Sequence, residues 1–174
     1  MTKNRIFLDC GQFDGVAIRQ YCVDDSWQIY SFDPEPQPRG NTADLPPHTF
    51  SKKAVWIKDG FVSFSLDPHK QASHITDVAG IDYEKKKRVA CIDFSAFVRN
   101  LPGAYIVCSM DIEGSEFPVL RKMIADGTAQ RISVLDIEFH HRLMTNEDDE
   151  TARKLIQELS ALGVLVRLKI VLNK

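Results

Sequence analysis

Apolar runs alternate with segments of helical period along most of this 174-residue chain. The runs "RIFLDC", "WQIYSF" and "AYIVCSM" predict buried strands, because they are short, continuous and rich in β-branched and aromatic residues. The segment "SEFPVLRKMIADG" predicts a helix, because its apolar residues recur every three or four positions. Strands that alternate with helices form βαβ units. The order therefore predicts an α/β fold, a mainly parallel central sheet flanked by helices, in one domain spanning residues 1–174.

The middle and the end of the chain carry further local signals. "FSKKAVWI" and "FVSFSL" flank Asp59-Gly60, which predicts a β-hairpin with its turn at this dipeptide. The polar segment 67–87 predicts irregular structure. Thr145 and Asp148 resemble a capping box for a helix that Gly163 ends. "VLVRLKIVL" then predicts a last strand.

Charge and cysteine content exclude some classes of protein. The net charge is −2 and the pI is about 6.2, whereas general nucleic-acid binders carry a basic excess. The four cysteines have no C-x-x-C spacing, which disfavours a zinc site. Cys10, Cys91 and Cys108 lie within apolar runs, which predicts buried free thiols in a reducing compartment. "MTKNRIFLDC" has no apolar signal region, and no apolar run approaches about 18 residues. We therefore expect a cytoplasmic protein with no membrane segment.

The loop after the first strand has the composition of a ligand-binding turn. "DCGQFDG" places Asp9 at the strand end and Gly11, Gln12 and Gly15 between strand and helix. Asp33 ends the second strand, where an acid can accept hydrogen bonds from ribose hydroxyls. The pattern predicts a nucleoside site, with two ordinary strand–helix loops as the alternative.

The nucleoside could belong to a nicotinamide cofactor or to a methyl donor. A dinucleotide site favours G-x-G-x-x-G, which leaves backbone room for a pyrophosphate. This loop lacks the middle glycine and adds the negative charge of Asp14. Both features disfavour a pyrophosphate and favour S-adenosylmethionine, whose sulfonium and amino groups are cationic.

Five segments, in order, resemble the FkbM-type methyltransferase family: "FLDCGQFDG", "YSFDPEP", "AVWIKDGFVSF", "ACIDF" and "SMDIEGSEFPVL". The resemblance covers about residues 5–140, and its most specific part is the D-x-E-G-x-E run that begins at Asp111. It implies a Rossmann-like class I methyltransferase fold and S-adenosylmethionine-dependent transfer to hydroxyls of sugars or natural products. The expected partner is a small-molecule or carbohydrate acceptor.

The resemblance also implies roles for individual residues. Asp9, Gly11 and Gly15 would hold the methionine part of the cofactor, with Gln12 in the same loop. Asp33 takes the place of the ribose-binding acid. Asp111 and Glu113 would line the floor where methyl donor and acceptor meet.

The chain departs from the family pattern at three places. Phe13 stands where the family has Asn, and Ser109 stands where it has Lys. The end is shortened, because one predicted strand replaces the usual pair. These departures favour a second hypothesis, a non-catalytic nucleoside-binding or interaction module. A third hypothesis, a nicotinamide-dependent oxidoreductase, is disfavoured by the absent G-x-G-x-x-G.

Acidic and histidine side chains follow the two most buried strands. Alternation along "RISVLDIEFHH" predicts Asp136, Glu138 and His140 on one face, beside Asp111 on the neighbouring strand. We predict Asp111, Glu138 and His140 as catalytic residues. Three arrangements stay open: a site for Mg²⁺ or Mn²⁺, metal-free base catalysis, and structural pairing with nearby basic residues.

The charge of Asp111 and the exposure of the other histidines are also predicted. The helix that begins near Ser115 would direct its N-terminal amides towards Asp111 and keep that carboxyl ionised. His48, His69 and His74 lie in polar segments, which predicts exposed side chains.

Overall fold

Two sheets form the framework of the protein. The computed structural model describes residues 4–12, 15–34, 44–67, 73–76, 84–103, 105–140 and 146–169. The strands are β1 Arg5–Cys10, β2 Trp27–Phe32, β3 Thr49–Ser51, β4 Ala54–Trp56, β5 Gly60–Ser65, β6 His74–Ile75, β7 Lys86–Asp93, β8 Tyr105–Met110, β9 Val134–Ile137 and β10 Leu165–Leu168. The helices are α1 Val16–Tyr21, α2 Phe94–Arg99, α3 Glu116–Ala125 and α4 Asp149–Ala161, with a 3₁₀ turn at Ala129–Arg131.

The large sheet has six strands in the order β10-β9-β8-β1-β2-β3, and all its pairs are parallel. β1 lies next to the middle of this sheet, and its residues from Ile6 to Cys10 are buried. Both faces of a parallel sheet must be covered, which explains why β1 and β8 are nearly continuous apolar runs. The Rossmann-like α/β fold and the mainly parallel sheet are confirmed.

Helices cover the two faces of the large sheet unequally. One face joins the small sheet and the helices α2, α3 and α4 in the larger apolar core. The other face carries α1, whose Ile18 packs in a smaller cluster with Phe7, Trp27 and Val107. Because α1 has only six residues, it leaves space between itself and β10.

The predicted hairpin at Asp59-Gly60 is wrong. The small sheet has the order β4-β7-β5-β6, so β4 and β5 lie on opposite sides of β7. The turn between them is attached to the end of β7, where the amide of Asp93 donates to Asp59 Oδ1 at 3.3 Å. β7 can pair along both edges, and this long-range pairing decides the arrangement.

Other local predictions have mixed outcomes. Cys10, Cys91 and Cys108 are buried and free, as predicted, and Cys22 is buried and free as well. The capping box is wrong: Asp148 caps α4 itself and accepts from the amide of Thr151 at 2.8 Å, while Thr145 lies outside the described residues. The segment 67–87 contains β6 and the start of β7; its residues 68–72 and 77–83 lie outside the described part.

The predictions for the remaining histidines and for membrane segments can also be compared with the structure. His74 is buried and His48 is half-buried, so their predicted exposure is wrong; His69 lies outside the described residues. Among the residues that the structure describes, no helix is long and apolar enough to cross a membrane.

Candidate active site

A row of buried polar side chains crosses the large sheet near the carboxyl ends of its strands. Register places Ser31 and Ser109 on either side of Asp9, and Asp136 beside Ser109. Register partners point to the same face, so the four side chains form a continuous row. All four are at most 7% exposed. The hydroxyls of Ser31 and Ser109 have no hydrogen-bond partner among the described residues. Burial of a polar group without a partner is costly, which marks this level of the sheet as a place for a polar ligand.

The row borders a cavity of about 510 Å³ between α1 and the end of β10. The lining residues are Asp9, Gly11, Gln12, Val16, Ala17, Gln20, Tyr21, Ser109, Asp111, Asp136, Arg167, Leu168 and Lys169. This volume is in the range of small-molecule sites. Open α/β sheets bind ligands outside the carboxyl ends of their strands, which is where this cavity lies.

One wall of the cavity is closed by an ion pair. Arg167 donates to Asp136 through Nε at 2.5 Å and through a terminal nitrogen at 2.9 Å. The hydroxyl of Tyr21 contacts both groups. Burial and the neighbouring Asp136 carboxylate raise the pKa of Tyr21 to about 12. Because Arg167 gives two hydrogen bonds to Asp136, its guanidinium group is held by that carboxylate.

Gly11 makes the tight turn above β1 and needs to be glycine for two reasons. Its φ is +86°, a left-handed conformation that side chains disfavour. A Cβ built on Gly11 would lie 1.9 Å from the carbonyl oxygen of Asp111. The crowding atom belongs to the protein's own backbone, so Gly11 permits the β1 and β8 ends to approach each other.

A second group of side chains surrounds His140. Its Nε2 lies 3.6 Å from Asp111 Oδ1, 3.5 Å from Glu113 Oε2 and 3.4 Å from Glu138 Oε1. Its Nδ1 donates to Glu116 Oε1 at 2.9 Å. We call these five residues the His140 cluster. It begins where the cavity ends, and Asp111 belongs to both.

Glu116 holds the His140 cluster to the backbone. Its side chain is fully buried and accepts from the amides of Ile112 and Gly114, both at 2.8 Å. The sequence predicted that amides at the start of the helix near Ser115 would stabilise Asp111. Among the described residues no amide of α3 is bonded to Asp111, and burial raises the pKa of that carboxyl. Glu113 and Gly114 have positive φ values of 53° and 97°, which turn this stretch of backbone around the Glu116 carboxylate.

The His140 cluster perturbs the acid–base equilibria of its members. Burial alone would lower the pKa of His140, but hydrogen bonds to Glu116 and Glu138 raise it to about 11. Burial raises the pKa of Glu113 to about 8, although His140 opposes the shift. His140 lowers the pKa of Glu138. At neutral pH, His140 is therefore an imidazolium, Glu138 is a carboxylate and Glu113 is mostly protonated.

Asp111 differs from the other acids of the cluster. Burial raises its pKa above the ordinary value, while the charges of Lys169 and His140 lower it. Lys169 Nζ lies 3.5 Å from Asp111 Oδ2. Asp111 therefore has one cation on the cavity side and another on the cluster side.

The family becomes clear from a comparison with protein-family models. The FkbM methyltransferase domain matches residues 9–165, from the acid at the end of β1 to the first residue of β10. This chain belongs to the FkbM methyltransferase family. Comparisons with curated proteins and with solved structures found no match.

Most of the predicted site residues lie close together in the folded chain. Asp9, Gly11, Gln12 and Asp111 line the cavity. Glu138 and His140 meet Asp111 in the His140 cluster.

Two predicted residues of the FkbM chain lie beside the cavity, outside the residues that line it. Gly15 begins α1 with a φ of +74°, and Asp33 lies at the end of β2, where its amide donates to Ser51. The preceding residue, Phe32, accepts from the amides of Gly11 and Gln12, which places Asp33 next to the glycine loop.

Sequence reasoning assigned Asp136 to the wrong neighbours. Alternation predicted it beside Glu138 and His140, but β9 ends at Ile137 and Asp136 faces Tyr21 and Arg167. Tyr21, Arg167 and Lys169 were not predicted to line the cavity. Arg167 and Lys169 were missed because the register of β10 on β9 leaves no local signal in the sequence. Only the buried run of β9 could have indicated that Asp136 needs a partner.

Three residues of the His140 cluster lie close enough together to hold a metal ion. Asp111, Glu113 and His140 each offer one ligand atom, and these atoms lie within 4.8 Å of one another. Oxygen and imidazole ligands suit Mg²⁺, Mn²⁺ and other divalent cations. Glu116 would orient the imidazole from behind, as carboxylates do for metal-binding histidines.

The titration of Glu113 gives a testable dependence of stability on pH. Its folded pKa of about 8 exceeds the ordinary glutamate value of 4.5. Protonation of Glu113 therefore stabilises the fold fully below pH 4.5, and this contribution is lost as pH rises through about 8. We expect Glu113→Gln to lack this loss and to be more stable than the parent protein at pH 9 by about 2–4 kcal/mol. Urea unfolding at pH 5 and pH 9 measures the difference.

Glu150→Gln is the control for that measurement, because Glu150 lies on α4 in an ion pair with Lys154 whose two side chains are both exposed. It should change stability by less than about 0.5 kcal/mol at either pH. Equal pH dependence in Glu113→Gln and the parent protein would show that Glu113 titrates normally.

Proposed function

We propose that this FkbM chain transfers a methyl group from S-adenosylmethionine to a hydroxyl oxygen of a small-molecule or carbohydrate acceptor. The observation that carries the proposal is the position of Asp111. Asp111 lines the cavity suited to the donor and also belongs to the His140 cluster. A carboxylate at this junction can reach the atoms of donor and acceptor together.

The charges of the cavity fit the donor. Asp9, Asp111 and Asp136 contribute carboxyl groups to its wall, and the sulfonium and ammonium groups of S-adenosylmethionine are cations. Gly11 lines the cavity without a side chain. In this proposal Asp33, beside the glycine loop, accepts hydrogen bonds from the ribose hydroxyls.

The transfer requires an in-line approach of the hydroxyl oxygen to the methyl carbon. The new carbon–oxygen bond forms as the carbon–sulfur bond breaks, and S-adenosylhomocysteine and a methyl ether result. The hydroxyl proton passes to the carboxylate of Asp111. Positioning supplies much of the rate gain, and base catalysis supplies the rest.

His140 has a supporting part in this proposal. As an imidazolium with a pKa of about 11 it has no free nitrogen lone pair at neutral pH. It can nevertheless hold Glu138 and Asp111 in place through its Nε2. Glu138 stays ionised beside it and can bind a hydroxyl of the acceptor.

A divalent cation is a second way to activate the hydroxyl, and the convergence of Asp111, Glu113 and His140 favours it. The cation would be held by these three residues and would lower the pKa of the acceptor hydroxyl. Activity that EDTA removes and Mg²⁺ or Mn²⁺ restores would support the cation. Activity that is indifferent to EDTA would support direct base catalysis by Asp111.

Binding and turnover measurements test the proposal in sequence. Calorimetry with S-adenosylhomocysteine, S-adenosylmethionine and NAD identifies the nucleoside that binds. Transfer of a labelled methyl group to a panel of hydroxylated acceptors then measures activity. Binding of NAD alone would replace the proposal with an oxidoreductase, and donor binding without transfer to any acceptor would favour a non-catalytic module.

The ribose contact gives a prediction about affinity. Asp33→Ala removes a charged acceptor, so S-adenosylhomocysteine should bind more weakly by about 1.5–3 kcal/mol. Calorimetry measures this loss, and Glu150→Ala on α4 is the control because it lies at an exposed ion pair. Unchanged affinity in a folded Asp33→Ala protein would remove Asp33 from the site.

A further inference from the structure

We propose that Lys169 binds the carboxylate at the methionine end of the donor, and so supplies from β10 the positive charge that the FkbM pattern carries at position 109. This inference rests on the proposed function, because it names one contact within the same donor site. It concerns a residue that lies far along the chain from the family's motifs.

The fold holds Lys169 at the carboxyl edge of the large sheet. Its amide donates to the carbonyl of Ile137 at 2.8 Å, which extends the pairing of β9 and β10 by one residue. Its side chain lines the cavity, is 29% exposed, and places Nζ 3.5 Å from Asp111 Oδ2. The ammonium group is therefore partly shielded from water and directed at the site.

Two of the described residues that line the cavity are basic, Arg167 and Lys169. They differ in how firmly neighbouring carboxylates hold them. Arg167 gives two hydrogen bonds to Asp136 and lies over the ring of Tyr21. The 3.5 Å contact of Lys169 with Asp111 is longer than a strong hydrogen bond. An ammonium group has three N–H donors, so Lys169 can contact Asp111 and a ligand carboxylate together.

Ser109 provides a second, independent sign of a polar ligand in the cavity that Lys169 lines. Its side chain is 1% exposed and lines the cavity, and its hydroxyl has no hydrogen-bond partner among the described residues. A buried hydroxyl without a partner is costly, and a ligand oxygen would satisfy it. A carboxylate can accept from Ser109 and from Lys169, whereas an ammonium would be repelled by Lys169.

The amino-acid end of the donor matches this distribution of charge. It carries an ammonium, which suits the acids of the cavity wall, and a carboxylate, which needs a cation. Ser109 has a short side chain where the family pattern has lysine, so a lysine from the neighbouring part of the sheet can occupy the same side of the cavity. Lys169 then compensates for the positive charge that is absent at position 109.

Two ligands that differ only in the carboxylate test the inference. Calorimetry compares S-adenosylmethionine with decarboxylated S-adenosylmethionine, in the parent protein and in Lys169→Met. We expect the parent protein to bind the carboxylated ligand more tightly by about 10- to 100-fold. In Lys169→Met, affinity for S-adenosylmethionine should fall by a similar factor, and affinity for the decarboxylated ligand should stay within about threefold.

Further variants separate a contact from a loss of structure. Lys169→Gln keeps a polar side chain and should also lose the discrimination. Ser109→Lys combined with Lys169→Met should restore it. Lys154→Met, on exposed α4, should leave both affinities unchanged.

The outcomes distinguish this inference from the proposed function. If the parent protein binds neither ligand, the proposed function itself fails. If it binds both ligands equally, or if Lys169→Met keeps the discrimination or weakens both ligands alike, donor binding stands and the role of Lys169 is overturned.

Discussion

Asp111→Asn should lower the turnover rate by about 10²–10⁴-fold, while S-adenosylhomocysteine affinity changes by no more than a few-fold. Asparagine keeps the shape of the side chain and removes the carboxylate that would accept the hydroxyl proton. Asp111 also lies between Lys169 and His140, at 3.5 and 3.6 Å. An amide oxygen can keep weaker contacts with both cations, so we expect the fold to persist.

Single-turnover methyl transfer on an identified acceptor, together with calorimetry, measures the two effects separately. Because Asp111 must be deprotonated to act as a base, the parent rate should rise with pH through its pKa, and the Asn variant should lack this rise. Glu150→Gln is the control, since Glu150 lies on exposed α4. Near-full turnover in Asp111→Asn would mean that Asp111 has no catalytic part, and the carboxyl groups at the start of α3 would then be structural.

Glu116→Ala should destabilise the protein by about 3–5 kcal/mol. The fully buried Glu116 carboxylate accepts from two backbone amides and from His140 Nδ1. Its removal leaves a buried imidazolium and two amides without their acceptor. Losing one partner of a buried ion pair costs far more than losing an exposed pair.

Urea unfolding of Glu116→Ala measures the loss, and thermal unfolding should show a decrease of Tm on the order of 10 °C. Glu116→Gln retains one acceptor oxygen and should be less destabilised than Glu116→Ala. Glu150→Ala, whose partner Lys154 is exposed, should change stability by less than about 0.5 kcal/mol. A loss below about 1 kcal/mol in Glu116→Ala would show that solvent replaces the contacts of Glu116.

The sequence by itself determined the elements that carry a local signal. β1, β2 and β8 were predicted because each is a continuous apolar run, and burial on both faces of a parallel sheet requires such runs. The turn at Gly11 and the end of α4 at Gly163 were predicted because both need a positive φ. The D-x-E-G-x-E run of residues 111–116 indicated the FkbM family before any contact was known.

Tertiary structure decided which of these elements meet. β4 and β5 were expected to pair with each other, yet both pair with β7, because hydrogen bonding between strands depends on partners distant in sequence. Alternation was extended past Ile137, where β9 ends. A period of two holds only while the backbone is extended, so Glu138 and His140 separate from Asp136.

At the site, too, some features were predictable from local sequence and others depended on tertiary contacts. The sequence located the acids, but it expected amides at the start of α3 to stabilise Asp111, whereas the carboxylate held by backbone amides in this stretch is Glu116. It had no means of finding Lys169, whose place beside Asp111 follows from the register of β10 on β9. Local sequence determines which groups are present and how a strand or helix orients them. Only the packing of distant segments brings Lys169, Ser109 and Asp111 to the wall of one cavity.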